Sequence, residues 1–274
     1  MNKSNFNWAE EAEVSLKAVS SAAEIIENNS KDLINIKSKE SFRDIVTELD
    51  IAIEHFLIKE LLKTSYEIIG EETFDNKTLN LSNNNPTWYI DPIDGTTNFI
   101  SSIPFFGISV GLGINLDFEV GTVIFPALKE IFFTSNNGIS YLNGKPLKSK
   151  PRELKNSLLS MAFSGSTQNV EYKKKQYEIF GKFNDNSRGC LRTGSAAANI
   201  CYAASGRFGA VIGFTNKIWD IAGGIAIAKN AGCEIYIEQV DNANSFNYVV
   251  GAKCVSEQIV EIITKNNLSN LIKV

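Results

Sequence analysis

The chain opens with a helical pattern. Between residues 8 and 28 the small and apolar side chains, among them Val14, Ala18, Ala22, Ile25 and Ile26, fall on one face, and the run ends at Asn28-Asn29-Ser30. Residues 51–62 repeat the pattern with Ile53, Leu57 and Leu61, directly after Asp44-Ile-Val-Thr-Glu-Leu-Asp50, so Asp50 is expected to cap a second helix. After Glu67-Ile-Ile-Gly70 and a polar loop the character changes. Runs at 105–114, 120–125 and 130–134 read as strands of an antiparallel sheet.

In the later half helix and strand take turns, as in α/β packing. Strands are predicted at 158–163, 208–212, 233–237 and 248–250, and helices at 170–180, 194–205, 219–231 and 255–264. No internal repeat and no long linker separates these elements. An N-terminal α+β half, 1–150, and a C-terminal α/β half, 151–274, are therefore expected to form one compact unit.

Composition narrows the class. A chain of 274 residues with 43% hydrophobic content can bury a sizeable core, which excludes a disordered protein. Cys190, Cys201, Cys233 and Cys254 are scattered without CxxC spacing, so neither a zinc site nor a disulfide framework is indicated and reduced thiols are expected. The first residues run into an acidic helical segment with no apolar stretch suited to a signal peptide or a membrane span. A soluble, cytoplasmic protein without a membrane partner follows. With 27 basic and 31 acidic residues the net charge is -4, and the one short basic run, Lys173-Lys174-Lys175, is expected on a solvated helix face. Nucleic-acid binding is not indicated.

The densest chemistry lies in Trp88-Tyr-Ile-Asp-Pro-Ile-Asp-Gly-Thr-Thr-Asn-Phe99. An apolar run delivers Asp91 to an expected strand end, Pro92 stiffens the turn, and Gly95 allows close backbone approach at a helix start. Asp91 and Asp94 would converge. Two close carboxylates both stay charged only beside a compensating cation, while the N–H groups of Gly95 and Thr96 would attract an anion. An Asp-Gly pair is otherwise an ordinary turn, and a lone acid at a helix start an ordinary cap. Three further acidic features accompany it: Glu71 and Glu72 after a strand and a glycine, Asp50, and Asp220 at the head of a helix rich in Ala222, Gly223 and Gly224. The single histidine, His55, lies away from every motif, so no Ser-His-Asp arrangement can be built, and no P-loop is present.

Gly70-Glu71-Glu72, Asp91-Pro-Ile-Asp-Gly-Thr-Thr-Asn-Phe99 and Trp219-Asp220-Ile-Ala-Gly-Gly224 resemble, in order and separation, the motifs of the inositol monophosphatase family. The segments 44–50 and 194–197 resemble two more, so the likeness spans nearly the whole chain. It implies a layered αβαβα fold of the inositol monophosphatase and fructose-1,6-bisphosphatase type, with a mainly antiparallel N-terminal sheet. It also implies a lithium-sensitive, Mg2+-dependent phosphoric monoester hydrolase, usually a homodimer. Carried over motif by motif, Glu71, Asp91 and the Ile93 carbonyl would hold one Mg2+, and Asp91, Asp94 and Asp220 a second. A third would sit near Glu71 and Asp50. Thr96 and Glu71 would orient the attacking water, with Asp94 part of the catalytic set and Thr47 supporting it. Gly95 and Thr96 would cradle the phosphate, and Gly194, Ser195 and Ala196 would border the substrate.

One position departs from the pattern. Inositol-selective relatives carry a glutamate seven residues before the aspartate of the Trp-Asp motif, where this chain has Gly213. A polyol anchor is missing there, unless Asn216 or Lys217 supplies the contact. The substrate expected is a small polyol or sugar phosphate of the inositol monophosphate kind. Fructose 1,6-bisphosphate, adenosine 3',5'-bisphosphate and histidinol phosphate are the alternatives, and Lys217, Arg188 and Arg192 are candidates for the extra basic pocket a bisphosphate would need. A regulatory partner of the transcription machinery is the non-enzymatic alternative.

Overall fold

In the computed structural model, residues 8–29, 36–38, 45–74, 79, 81, 84–134, 138–164, 169–240 and 244–274 are described; Asp44 lies outside them. The first helical pattern folds as α1 (Trp8–Asn29). Then come β1 (Ile36–Ser38), β2 (Ile45–Thr47), α2 (Glu48–Leu61), β3 (Glu67–Gly70), β4 (Thr87–Asp94) and α3 (Thr96–Ile100). The alternating run becomes β5 (Gly107–Ile114), β6 (Asp117–Phe125), β7 (Glu130–Thr134), β8 (Ser140–Leu142) and β9 (Lys145–Pro146). The later half contributes β10 (Leu159–Ala162), α4 (Val170–Asp185), β11 (Cys190–Leu191), α5 (Ala196–Ala204), β12 (Ala210–Asn216), α6 (Ile218–Asn230), β13 (Glu234–Gln239), β14 (Phe246–Gly251), α7 (Lys253–Lys265) and β15 (Ile272–Lys273).

Two sheets result. The seven-stranded one follows chain order from β3 to β9, with β3 parallel to β4 and its other neighbours antiparallel. The six-stranded one has the order β11-β10-β12-β14-β13-β15 and is mixed: β10 runs parallel to β11 and β12, and the rest pair antiparallel.

Helices fill the three remaining layers. On one face of the larger sheet, Val19, Ala22 and Ile26 of α1 and Leu49, Ile53 and Leu57 of α2 meet Trp88, Ile90, Val110 and Leu112. Between the sheets lie α5 and α6, whose Ala197, Ile200, Ile221 and Ile225 pack with Phe118 and Phe125 on one side and with Val211, Ile235 and Tyr248 on the other. On the far face α4 and α7 bury Ile179, Phe183, Val255 and Ile259 against Leu159, Ile212 and Val249. The alternation Val211 inward, Ile212 outward is the period of a strand buried on both faces. This is the expected αβαβα layering.

Because α6 touches both sheets it is apolar nearly all round rather than amphipathic. Its small residues let backbone meet backbone: a Cβ on Gly121 of β6 would stand 2.2 Å from the Gly223 carbonyl, and one on Gly223 2.8 Å from that of Val110. The head of α6, with Asp220, is thereby set against the sheet whose strand β4 carries Asp91 and Asp94.

Candidate active site

β4 does not end at Asp91 as expected. It pairs Asp91 with Ser109 and then Asp94 with Gly107, so Pro92 and Ile93 stand opposite Ile108 alone. That is a β-bulge at a residue with no N–H to give to the ladder. Its consequence is geometric. Residues three apart face opposite sides of a regular strand, and one inserted residue restores them to the same side. Asp91 and Asp94 accordingly line one pocket, with Ile93 and Glu71. Gly95 then takes φ +87, a left-handed turn that opens the five-residue α3.

Asp94 is fastened by the start of α5. Its carboxylate accepts the Ser195 hydroxyl, the Ala196 N–H at 3.1 Å and the Ala197 N–H at 2.8 Å. Ser195 is itself the N-cap, accepting the Ala198 N–H at 3.1 Å. Gly194, Ser195 and Ala196 do line the pocket, yet the polar groups of the last two are directed at Asp94. Asn98 secures the junction by donating to the carbonyls of Phe105 at 2.7 Å and Thr193 at 2.9 Å.

Asp50 and Asp220 occupy equivalent places on their helices. The N-cap of α2 is Thr47, not Asp50; Asp50 is the third helical residue, and it accepts the Thr47 N–H at 2.9 Å together with the Thr47 hydroxyl. Thr47 is thus a cap with its hydroxyl on Asp50. Asp220 likewise reaches back to the Lys217 N–H at 2.9 Å, with the Asn216 amide at 3.4 Å. Thr96 joins the two sides of the site, donating to the Ile93 carbonyl at 3.0 Å with Asp50 Oδ1 at 3.4 Å. A carbonyl has a second lone pair, so Ile93 can still accept another partner. Helix N-termini favour negative charge, and α2, α5 and α6 each direct one at a carboxylate.

Glu71 sits on the turn after β3, its N–H bonded to the Ile90 carbonyl at 3.1 Å. A residue that sequence reasoning missed lies behind it. Glu54 of α2, fully buried, accepts the N–H of Glu72 and of Thr73, each at 2.8 Å. Asn98 was missed as well. The signals were present: Glu54 is one helical turn beyond Asp50 on the same face, and Asn98 follows the two threonines of the motif.

The electrostatics point to a missing positive charge. Burial, then the charges of Glu71, Asp94, Asp220 and Asp50, push the Asp91 carboxyl well above the ordinary carboxylate range. Burial raises Asp94 to about 6 against the opposing pull of Ser195, Ala196 and Ala197, and raises Asp220 to about 8, reinforced by Glu71 and Asp94. Asp91 Oδ1 is buried without any hydrogen-bond partner. An orphaned carboxylate oxygen among like charges, in an all-oxygen donor set, fits a hard divalent cation such as Mg2+. Among the described residues no three acidic side chains close on a single point, and Asp94 is bonded to the start of α5. Mg2+ is commonly held by one or two carboxylates with several waters, and the 230 Å³ pocket has room for them.

The opposite wall is made by Met161, Ala162 and Phe163 at the end of β10, by Arg192 and Asn199, and by Asn216 at the end of β12. Gly213, expected to border the substrate, is not part of it. It pairs with Tyr248 across β12 and β14, and a Cβ there would lie 2.1 Å from Tyr248 Cε1 and 2.6 Å from Asn216 Oδ1. The tyrosine ring fills the space a side chain would need. Of the three basic candidates Arg192 lines the pocket and Lys217 and Arg188 do not. Arg192 has no ion-pair partner among the described residues. His55 is exposed on α2, and the four cysteines are free. No described helix is long and apolar enough to cross a membrane.

Residues 7–259 match the model of the inositol monophosphatase family. Inositol monophosphatase 1 of Solanum lycopersicum is 35% identical over 224 residues, 80% of this chain and 81% of that protein. A Thermotoga maritima protein named fructose-1,6-bisphosphatase/inositol-1-monophosphatase is 29% identical over 235 residues, 84% of this chain and 87% of its own length. Among solved structures, an IMPase of Thermotoga maritima superposes with a TM-score of 0.78 at 25% identity, covering 94% of this chain and 98% of that one.

Proposed function

Since the chain belongs to the inositol monophosphatase family, and with it to the phosphoric monoester hydrolases, we propose that it is a Mg2+-dependent phosphatase of a small polyol or sugar phosphate resembling inositol monophosphate. The observation that carries the reading is the buried, unpartnered Asp91 Oδ1 set among Glu71, Asp94 and Asp220. Glu71, Asp91 and the Ile93 carbonyl would hold one ion and Asp91, Asp94 and Asp220 a second, with Asp50 and Glu71 beside a third. Bound Mg2+ would lower the pKa of a water and neutralise charge on the phosphate and on the leaving oxygen.

The chain's own groups do the remaining work. Glu71 and Thr96 orient the water toward phosphorus. The N–H groups of Gly95 and Thr96, at a helix start where no intrahelical acceptor exists, face the phosphate. Ser195, Ala196 and Ala197 hold Asp94 in place, so it need not reorganise when the substrate arrives. Phe163 and Asn216 meet the alcohol part. The guanidinium of Arg192, without an ion-pair partner among the described residues, supports a second reading, in which the substrate carries another anionic group, as the name of the Thermotoga relative suggests.

The test is phosphate release with Mg2+ from inositol 1-phosphate, fructose 1,6-bisphosphate, adenosine 3',5'-bisphosphate and histidinol phosphate. Release from none of them would overturn the substrate reading. Lithium should inhibit. A homodimer is proposed as well, supported by the exposed Leu191 in a groove with Phe105, Tyr202 and Phe208; a monomeric mass in solution would refute it.

A further inference from the structure

Glu54 is a fully buried carboxylate with no cationic partner among the described residues. Burying an unpaired charge opposes folding, and an apolar side chain of the same size would suit a helix packed on a sheet. Glu54 nevertheless stands at the fourth position after Asp50, on the face of α2 that looks toward the β3–β4 edge. Its two oxygens divide between two consecutive backbone N–H groups, Oε2 with Glu72 and Oε1 with Thr73, each at 2.8 Å.

The chain makes room for this contact. A Cβ on Gly70 would lie 2.4 to 2.7 Å from the Glu54 carboxyl atoms, so a glycine is required where the strand enters the turn. Glu71, between Gly70 and the bonded pair, is fixed on its other side through its N–H on the Ile90 carbonyl at 3.1 Å. The turn carrying Glu71 is therefore clamped from both directions, by β4 and by Glu54. The same helix brings Asp50 to the site one turn earlier, so α2 sets the separation of two acidic groups with one rigid body.

We propose that Glu54 is a positioning residue that fixes the Glu71 turn relative to Asp50 and Asp91 and thereby sets the affinity of the site for its divalent ion. This rests on the reading that the pocket binds Mg2+. Glu54 touches neither substrate nor ion. It acts through the backbone of Glu72 and Thr73, in the way that groups behind metal ligands commonly tune affinity by about 10–100-fold.

The experiment measures Mg2+ affinity calorimetrically on the full-length protein, beside the melting temperature in EDTA, for the parent, Glu54→Gln and Gly70→Ala. Glutamine keeps the shape but turns an NH2 group toward an N–H, opening one side of the clamp. An alanine at 70 displaces the carboxylate from the other direction. Mg2+ binding should weaken about tenfold or more in both variants, with the EDTA melting temperature of Glu54→Gln unchanged or raised because a buried charge is gone. A purely structural role predicts the reverse, a lower EDTA melting temperature with parental Mg2+ affinity, and that result overturns the inference. Should Glu54→Gln fail to fold, parental affinity in Gly70→Ala overturns it equally. Absence of Mg2+ binding by the parent itself would instead refute the metal reading of the pocket.

Discussion

The two walls of the pocket are built by different means. On the wall formed by β4 and the heads of α2, α5 and α6, backbone N–H groups fasten the acidic side chains: Asp94 on Ala196 and Ala197, Asp50 on Thr47, Asp220 on Lys217. On the wall formed by the end of β10, Arg192 and Asn216, contacts depend on single side chains, one of them a guanidinium and another a buried amide oxygen that have no partner among the described residues. Backbone anchoring requires particular residues at particular places, whereas a wall of single side chains can be altered one residue at a time. The first arrangement suits chemistry that must not move, and the second suits substrate choice.

The largest effect should come from breaking the anchored wall. Asp94→Asn exchanges one carboxylate oxygen for an NH2 group that faces either the Ser195 hydroxyl and the Ala197 N–H or the Ala196 N–H, and it removes charge from the proposed metal site. The kcat/KM for phosphate release should fall by orders of magnitude, on the order of 10³-fold, with the fold intact by circular dichroism. Full activity in this variant would remove Asp94 from the ligand set. A regulatory role that does not involve hydrolysis should survive the change.

Gly213→Glu tests the boundary between the walls. Restoring the glutamate of inositol-selective relatives places a Cβ 2.1 Å from Tyr248, so the strand pair is overpacked before the carboxylate can reach anything. A cost of about 1–3 kcal/mol is expected, read as a melting temperature lower by about 2–4 °C per kcal/mol for a chain of this size, without better use of inositol 1-phosphate. An unchanged melting temperature with improved use of that substrate would mean that the ring swings aside and that Gly213 borders the substrate after all.

This boundary also marks how far the sequence could be read. The layered fold, the acidic motif and the small-residue helix α6 were legible because each depends on local spacing: a helical period, a proline between two aspartates, glycines that permit backbone contact. Three things were not. The bulge that aligns Asp91 with Asp94 depends on how β4 registers with the next strand, β5, which spacing within the motif does not reveal. The anchoring of Asp94 by Ala196 and Ala197 uses N–H groups, which carry no signature in a side-chain alphabet. The filling of the space at Gly213 by Tyr248 is a cross-strand fact, and without it an empty position in a motif reads as a vacancy in the site.

A smaller, graded effect should appear with pH. Asp94 and Asp220 bind their protons more tightly in the folded protein, to about 6 and about 8, than their ordinary value of 3.8. The stability this gives is fully present below 3.8 and is lost as pH rises through about 6 for Asp94 and through about 8 for Asp220. Mg2+ competes with those same protons, so its apparent affinity should climb over that window, by at most about tenfold per pH unit for each proton released. Melting temperature measured with and without Mg2+ across the window separates the two. Without the ion the acidic wall loses stability as pH rises, and the gain on adding Mg2+ grows. A gain that stays flat with pH would break the link between the carboxyl protons and the ion.

The smallest effect is expected on the side-chain wall, and it is the one that decides substrate class. Arg192 is solvent-exposed, so its attraction for a second anionic group is screened by water and salt and is worth about 0.2–1 kcal/mol, or at most a few-fold in kcat/KM. Arg192→Ala should therefore lower kcat/KM for fructose 1,6-bisphosphate or adenosine 3',5'-bisphosphate by that factor and leave inositol 1-phosphate unchanged, since nothing at Asp91, Asp94 or Asp220 depends on the guanidinium. Raising the salt concentration should shrink the same difference in the parent enzyme, because screening weakens an exposed pair but not a buried cluster. An equal loss on every substrate would instead mean that Arg192 meets the reacting phosphate and belongs functionally to the anchored wall, which would move the line between the two walls from β10 to the start of α5.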